Sequence, residues 1–286
     1  MKQLDLQEYF VADSLAEALE LLDTYAGTIE VVAGGTDAFV EEHPGLDAML
    51  DITKLGLDFI EQDGKFLRIG SCATFRTLAK SSAVRETFHS LWEAAAIIAD
   101  YTIRNIATVG GNICSAVPSG DAIPSMYAAD AVFVLASRGG ERKVPAEEFF
   151  VGPRRTVRAK NELLKEILVP LPQGRAGSAF EKVARNSVDL ANANVAVRLL
   201  CAADGAVQEA RIAFGAVAPT VVRAHAAEAI LAGRKPDEAL LAALAGKVPE
   251  AISPITNIRS TREYRTEVAG VLAKKAVERA YRLAAA

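Results

Sequence analysis

Residues 101–130 read YTIRNIATVGGNICSAVPSGDAIPSMYAAD, and the reading of this stretch decides the fold. It is rich in Gly, Ser, Thr and Asn, too polar for a core strand, yet Ile and Val recur too often for a solvent loop. Backbone packed against a buried ligand has this character. At its centre Thr108-Val109-Gly110-Gly111-Asn112 pairs two glycines. A second pair stands upstream in Ala33-Gly34-Gly35-Thr36-Asp37, where the β-rich run Thr28–Val32 stops. Glycine lets the backbone approach a ligand and turn N–H groups toward an anion, and a neighbouring Thr hydroxyl can donate to a phosphate oxygen. Either pair alone is more simply a turn. Two in one domain, the second running on into Ser115 and Asp121, predict a pyrophosphate cradle.

Neither loop is a GxGxxG fingerprint, and no Lys-Ser/Thr follows the glycines as in a P-loop. The residues therefore point to a dinucleotide, FAD in preference to NAD, held between subdomains. The chemistry would belong to the cofactor, with no catalytic side chain of this chain's own.

Working outward, Ser14 with Glu17 reads as a capping box for a helix carrying Leu15, Ala18, Leu19 and Leu22, with Gly27 as its stop. Phe66–Ser71 reads as a strand and Thr74–Lys80 as a short helix. Ser90 with Glu93 reads as the opening of a helix through Trp92, Ala96 and Ile97. Ala131–Ser137 and Leu163–Leu171 read as strands, with Gly139-Gly140 a hairpin turn. A Gly- and Pro-rich stretch at Gln173–Gly177 suggests a boundary. Beyond it, Ala193–Cys201 and Val207–Ala216 predict an antiparallel hairpin followed by three Ala/Leu-rich helices, the last from about Thr261 to Ala285. The expected division is 1–174, with parts of about 1–56 and 57–174, and then 175–286, an α+β arrangement throughout.

The 286 residues are 51% apolar and 24% charged, with formal net charge -4, so disordered and fibrous classes are excluded. A mildly acidic chain without a Lys/Arg run does not suit non-specific nucleic-acid binding. No apolar run approaches a membrane span, and acidic residues stand where a signal peptide is basic, so a cytoplasmic protein is expected. Cys72, Cys114 and Cys201 are too scattered for a metal or Fe–S ligand set, and His43, His89 and His225 stand alone.

The strings VVAGGTD, TIRNIATVGGNICSAVPSGD, NELLKEILVPLP, FEKVARNSVDLANANVAV and TREYRTEVAGVLAKKAVERA occur in order along nearly the whole chain. Together they resemble the FAD-binding medium subunit of molybdenum hydroxylases, the xanthine dehydrogenase and carbon monoxide dehydrogenase family. The resemblance implies a PCMH/vanillyl-alcohol-oxidase-type FAD-binding domain of two subdomains, plus a C-terminal antiparallel sheet with helices. It places Ala33, Gly34, Gly35, Thr36 and Asp37 in a first pyrophosphate loop and Thr108, Gly111 and Asn112 in a second. Cys114, Ser115 and Asp121 match positions at the adenosine and ribose end, Asp121 having an N-cap as its plainer role. Leu164 matches a position beside the flavin and Lys182 a cation near the isoalloxazine, with a surface Lys on an edge strand as its plainer role. Arg185 and Asp189 match a flavin-side loop in which they would form an ion pair, and Ile98 stands where some relatives place an aromatic. Tyr264 and Arg265 match a pattern of packing and subunit contact.

The same resemblance implies partners: a 2Fe–2S small subunit and a molybdopterin large subunit. Electrons would pass through FAD to NAD or another acceptor while the partner oxidises a purine or other N-heteroaromatic. The cysteine-bearing insertion of 4-hydroxybenzoyl-CoA reductase relatives is not seen in the sequence. A self-contained PCMH-type flavin oxidase or dehydrogenase acting on its own organic substrate is the alternative.

Overall fold

The computed structural model describes residues 6–40 and 44–285, so His43 lies outside the described residues. The N-terminal layer is a parallel sheet in the order β1 (Glu8–Val11), β3 (Ala48–Asp51), β2 (Ile29–Val32). The crossover from β1 to β2 is α1 (Leu15–Thr24), which buries Ala18, Leu19 and Leu22 as the helical spacing requires. Ser14 Oγ accepts from Glu17 N at 3.2 Å, but the Glu17 carboxylate reaches the amide of Asp13, one residue before the cap, at 2.8 Å. The helix stops at Tyr25, ahead of Gly27.

A second sheet, antiparallel, runs β4 (Ile60–Asp63), β5 (Phe66–Gly70), β10 (Leu163–Pro170), β6 (Val132–Ser137), β7 (Gly140–Pro145). Its core, including Leu67, Ile69, Phe133 and Ile167, is closed by helices: α2 (Phe75–Lys80), α3 (Ser82–Thr87), α4 (His89–Ile97), α5 (Tyr101–Ile106), α6 (Val109–Ser115) and α7 (Ala122–Ala128). A small flap of α8 (Ala146–Phe149), β8 (Phe150–Gly152) and β9 (Arg155–Thr156) follows β7.

The C-terminal sheet is antiparallel in the order β11 (Arg175–Val183), β12 (Ala193–Cys201), β13 (Val207–Gly215), β14 (Val222–Arg223). The helices α9 (His225–Leu231), α10 (Glu238–Lys247) and α11 (Arg262–Ala285) pack with this sheet in one apolar cluster. The close approach of α11 to β11 leaves no room for a side chain at residue 177. A Cβ on Gly177 would stand 2.1 Å from the Ala280 carbonyl oxygen.

Ser90 does not open α4. Phe88 is the N-cap, and Ser90 sits inside the first turn, fully buried, donating its amide to Ser178 Oγ on β11 at 3.0 Å. Glu93, expected to close a local capping box, instead accepts the amide of Phe180 at 2.8 Å and pairs with Arg279 of α11. The burial of α4 against the C-terminal sheet pairs the Ser90 amide and the Glu93 carboxylate with partners remote in sequence and leaves Ser90 Oγ without a partner among the described residues, since an unmet buried N–H would cost more than a lost cap.

Candidate functional site: a cavity between two glycine pairs

Both glycine pairs meet at one cavity of about 420 Å³, a volume usual for small-molecule sites. Its wall takes in the segment from Glu30 to Ala38, residues of α6, and Leu163 and Leu164 at the start of β10. The loops touch directly, since a Cβ on Gly34 would stand 1.9 Å from the Ile106 carbonyl oxygen. Gly34 is therefore glycine because the α5–α6 junction presses on it. Gly35 has φ +68°, and a Cβ there would meet the ring of Phe39, so it needs the left-handed freedom of glycine.

The amides of the two pairs are used differently. Among the described residues, the backbone N–H groups of Gly34, Gly35, Thr36 and Asp37 have no acceptor. Gly34, Gly35 and Thr36 are half-buried and Asp37 is exposed, and consecutive N–H groups in a turn form an anion nest. The second pair has no such surplus. Val109 N donates to Ala73 O, Gly110 N to Ser71 O, Gly111 N to Thr108 Oγ1 and Asn112 N to Thr108 O. Of the two pairs, only the first thus has N–H groups left over for a ligand among the described residues. Thr108 caps α6, and the β5–α2 connection takes the remaining donors, so the second pair forms the first turn of a helix.

What the second pair supplies is space. A Cβ on Gly110 would collide with Ser71, but on Gly111 it would meet nothing closer than Thr108 Oγ1 at 3.0 Å. Gly111 is exposed on the cavity wall, so its missing side chain leaves room for a ligand.

Of the residues the sequence singled out, Ala33, Gly34, Gly35, Thr36, Asp37, Thr108, Gly111, Asn112, Cys114, Ser115 and Leu164 line this cavity. Asp121 and Lys182 do not. The Asp121 carboxylate is 2% exposed, accepting from Lys182 Nζ at 2.6 Å and from Asn194 Nδ2 at 2.8 Å. Burial pushes its pKa up, and the Lys182 ammonium opposes that rise. Buried and absent from the cavity wall, it does not face the space where a ribose would lie. Nor does it make a side-chain cap for α7. Lys182 is correspondingly neither beside the cavity nor a surface lysine; its side chain is 6% exposed. The ion pair expected between Arg185 and Asp189 is present at 2.9 Å.

Several lining residues were not anticipated: Ser71, Ile103, Arg154, Arg158, Glu162 and Leu190. Ile98 and Ala99 reach the wall because Arg104 donates to both their carbonyls at 2.7 Å, holding the bend between α4 and α5. Glu162 receives both arms of Arg142, at 2.6 and 2.8 Å, which hold its carboxyl below the usual range; the Ala159 amide adds to this. Burial pushes the Cys114 thiol up, with Arg158 opposing. No local motif marks these positions, because they come from separate stretches of the chain, around residues 71, 103, 154–158, 162 and 190, that only folding brings together.

An FAD diphosphate fits this wall. The unpaired amides offer donors to an anion, Gly111 leaves clearance, and Ser71 Oγ is a buried hydroxyl on the wall with no protein partner among the described residues.

Comparison with known proteins agrees with the geometry. The FAD binding domain in molybdopterin dehydrogenase matches residues 4–172, and the CO dehydrogenase flavoprotein C-terminal domain matches 178–280. The chain is 32% identical to the carbon monoxide dehydrogenase medium chain of Hydrogenophaga pseudoflava over 283 residues, 96% of each chain. It is 33% identical to the xanthine dehydrogenase FAD-binding subunit of Escherichia coli O157:H7 over 286 aligned positions, 96% of each. A solved structure of the Hydrogenophaga pseudoflava carbon monoxide dehydrogenase superposes with a TM-score of 0.93, covering 99% of both chains at 33% identity.

Proposed function

This chain belongs to the family of FAD-binding medium subunits of molybdenum hydroxylases, and from that premise we propose that it is the flavin relay of a multi-subunit dehydrogenase. FAD, when bound, exchanges electrons singly with iron–sulfur centres and in pairs with nicotinamide. The residues of this chain bind and orient it. The free amides of Gly34, Gly35, Thr36 and Asp37 receive the diphosphate, Gly111 gives it clearance, and Leu164 and Ile98 supply apolar wall. No side chain here is assigned proton transfer.

The same reading assigns 2Fe–2S clusters and molybdopterin to partner subunits, with NAD or another acceptor taking the electrons. The oxidised substrate, a purine or other N-heteroaromatic, would bind a partner as well. Support comes from relatives named as medium chains or FAD-binding subunits. No helix of the described residues is long and apolar enough to cross a membrane, and a cytoplasmic site of action is part of the proposal. So is a division of the chain near residues 56 and 174, supported by the change of sheet between β3 and β4 and again between β10 and β11.

The unpaired amides of the first glycine loop are the observation that carries the reading. The test is an absorbance spectrum of the purified chain before and after heat release of cofactor. Flavin bands and released FAD are expected; a colourless protein that takes up no added FAD would overturn the assignment.

A further inference from the structure

The turn before α11 carries a feature that the flavin site does not use. Ile258 is 94% exposed at the tip of a tight turn, with Ile255 64% exposed beside it. Single exposed apolar residues are ordinary, but this one is held rigidly. Asn257 N donates to Ser260 O at 3.0 Å, and Asn257 Oδ1 accepts from the amides of Arg259 and Ser260. A third donor to that oxygen is Nη2 of Arg265, at 3.0 Å.

Arg265 is 3% exposed, and its other bonds run to the carbonyls of Asn192 and Ala216. It has no carboxylate partner among the described residues, and its Nε is buried without an acceptor. A buried guanidinium without a counter-charge is costly. Here that cost fixes three loops in one position, and the outermost of them presents Ile258. Arg259 and Arg262 flank the tip, and neither is ion-paired to any carboxylate among the described residues. The tip is thus an apolar knob held by this hydrogen-bonded turn, with the charges of Arg259 and Arg262 beside it and the exposed Glu263 next along the chain.

We propose that Ile258 inserts into an apolar socket, rimmed with carboxylates, on a partner subunit of the complex. This rests on the subunit reading above. The unanswered charge of Arg259 and Arg262 selects a partner face of opposite sign and disfavours a symmetric contact with a second copy of this chain, which would bring like charge to the same place. A rigid apolar anchor at the centre of a contact, with charge around it, is the usual arrangement of an energetic hot spot.

The test uses the FAD-loaded chain and its own partner subunits, purified separately and mixed. Ile258→Asp should weaken assembly by about tenfold or more, and Arg259→Glu should weaken it in a salt-dependent way. Neither should alter FAD content or Tm. Val271→Asp, at a 60% exposed apolar site on α11, is the control and should assemble normally. Wild-type affinity in Ile258→Asp would overturn the inference. So would a loss confined to self-association of the isolated chain, which would make the occupant a second copy. A wild-type chain that binds FAD yet assembles with no partner would remove the subunit reading and this inference with it.

Discussion

Lys182 Nζ and Asp121 Oδ2 stand 2.6 Å apart, 61 residues distant in sequence, joining the edge strand of the C-terminal sheet to the start of α7. Both side chains are nearly inaccessible to water. Breaking a buried pair on one side leaves the other charge uncompensated, at a cost of roughly 3–5 kcal/mol. Asp121→Ala should therefore lower stability by about that amount, and the double replacement Asp121→Leu with Lys182→Met should cost less than either alone. Urea unfolding of the single and double variants is the measurement. A purely local effect on FAD affinity with unchanged stability would contradict it.

The glycines separate packing from clearance. Gly34→Ala should destabilise or fail to fold, because its Cβ would enter the Ile106 carbonyl. Gly111→Ala should keep or slightly raise the Tm of the flavin-free protein, since alanine favours a helix over glycine by about 1 kcal/mol. Gly111→Val should abolish FAD retention. Thermal unfolding and flavin content, measured side by side, distinguish the two positions.

Acid stability should carry a contribution from Glu162. Its hydrogen bonds to Arg142 lower its folded pKa below the usual value of 4.5. The unfolded chain then binds the proton first as pH falls. The stabilisation is fully present above 4.5 and is lost progressively below it, as pH falls through the folded pKa. Glu162→Gln should be less stable than wild type at pH 7, and the gap should close as the pH is lowered. Denaturant titrations across this range check the sign.

Thiol chemistry should be slow in the folded chain. Burial pushes Cys72 up to about 11 and raises Cys114 and Cys201 as well, so little thiolate exists at pH 8. Mass spectrometry after brief iodoacetamide treatment should show the native protein largely unlabelled and the denatured protein alkylated at all three cysteines. Rapid labelling of native Cys72 would count against its burial.

Local patterns in the sequence settled much of the architecture. The alternation and short turn at Ala202–Ala206 specify the hairpin of β12 and β13, and the Ala-rich period after Thr261 specifies α11. Ser14, like Gly34 and Gly35, was legible because caps and turn glycines act on neighbours within a few residues. The composition of 101–130 likewise pointed to the cavity that α6 lines, although it did not reveal that Thr108 and Ser71 absorb the amides there.

Only the tertiary structure decided what Asp121, Lys182, Ser90 and Glu93 do. Their partners lie 61 to 186 residues away, and a buried polar group takes whichever partner the packing of α4 and α7 on the C-terminal sheet brings within reach. The same holds for Arg265, which the resemblance matches only to a pattern of packing and subunit contact and which in space pins three loops beneath Ile258. The sequence determined element types and the ligand-facing backbone, because those follow from short-range sterics and periodicity. Which charges pair, and which amides remain free for a diphosphate, followed from desolvation on folding, which no local pattern records.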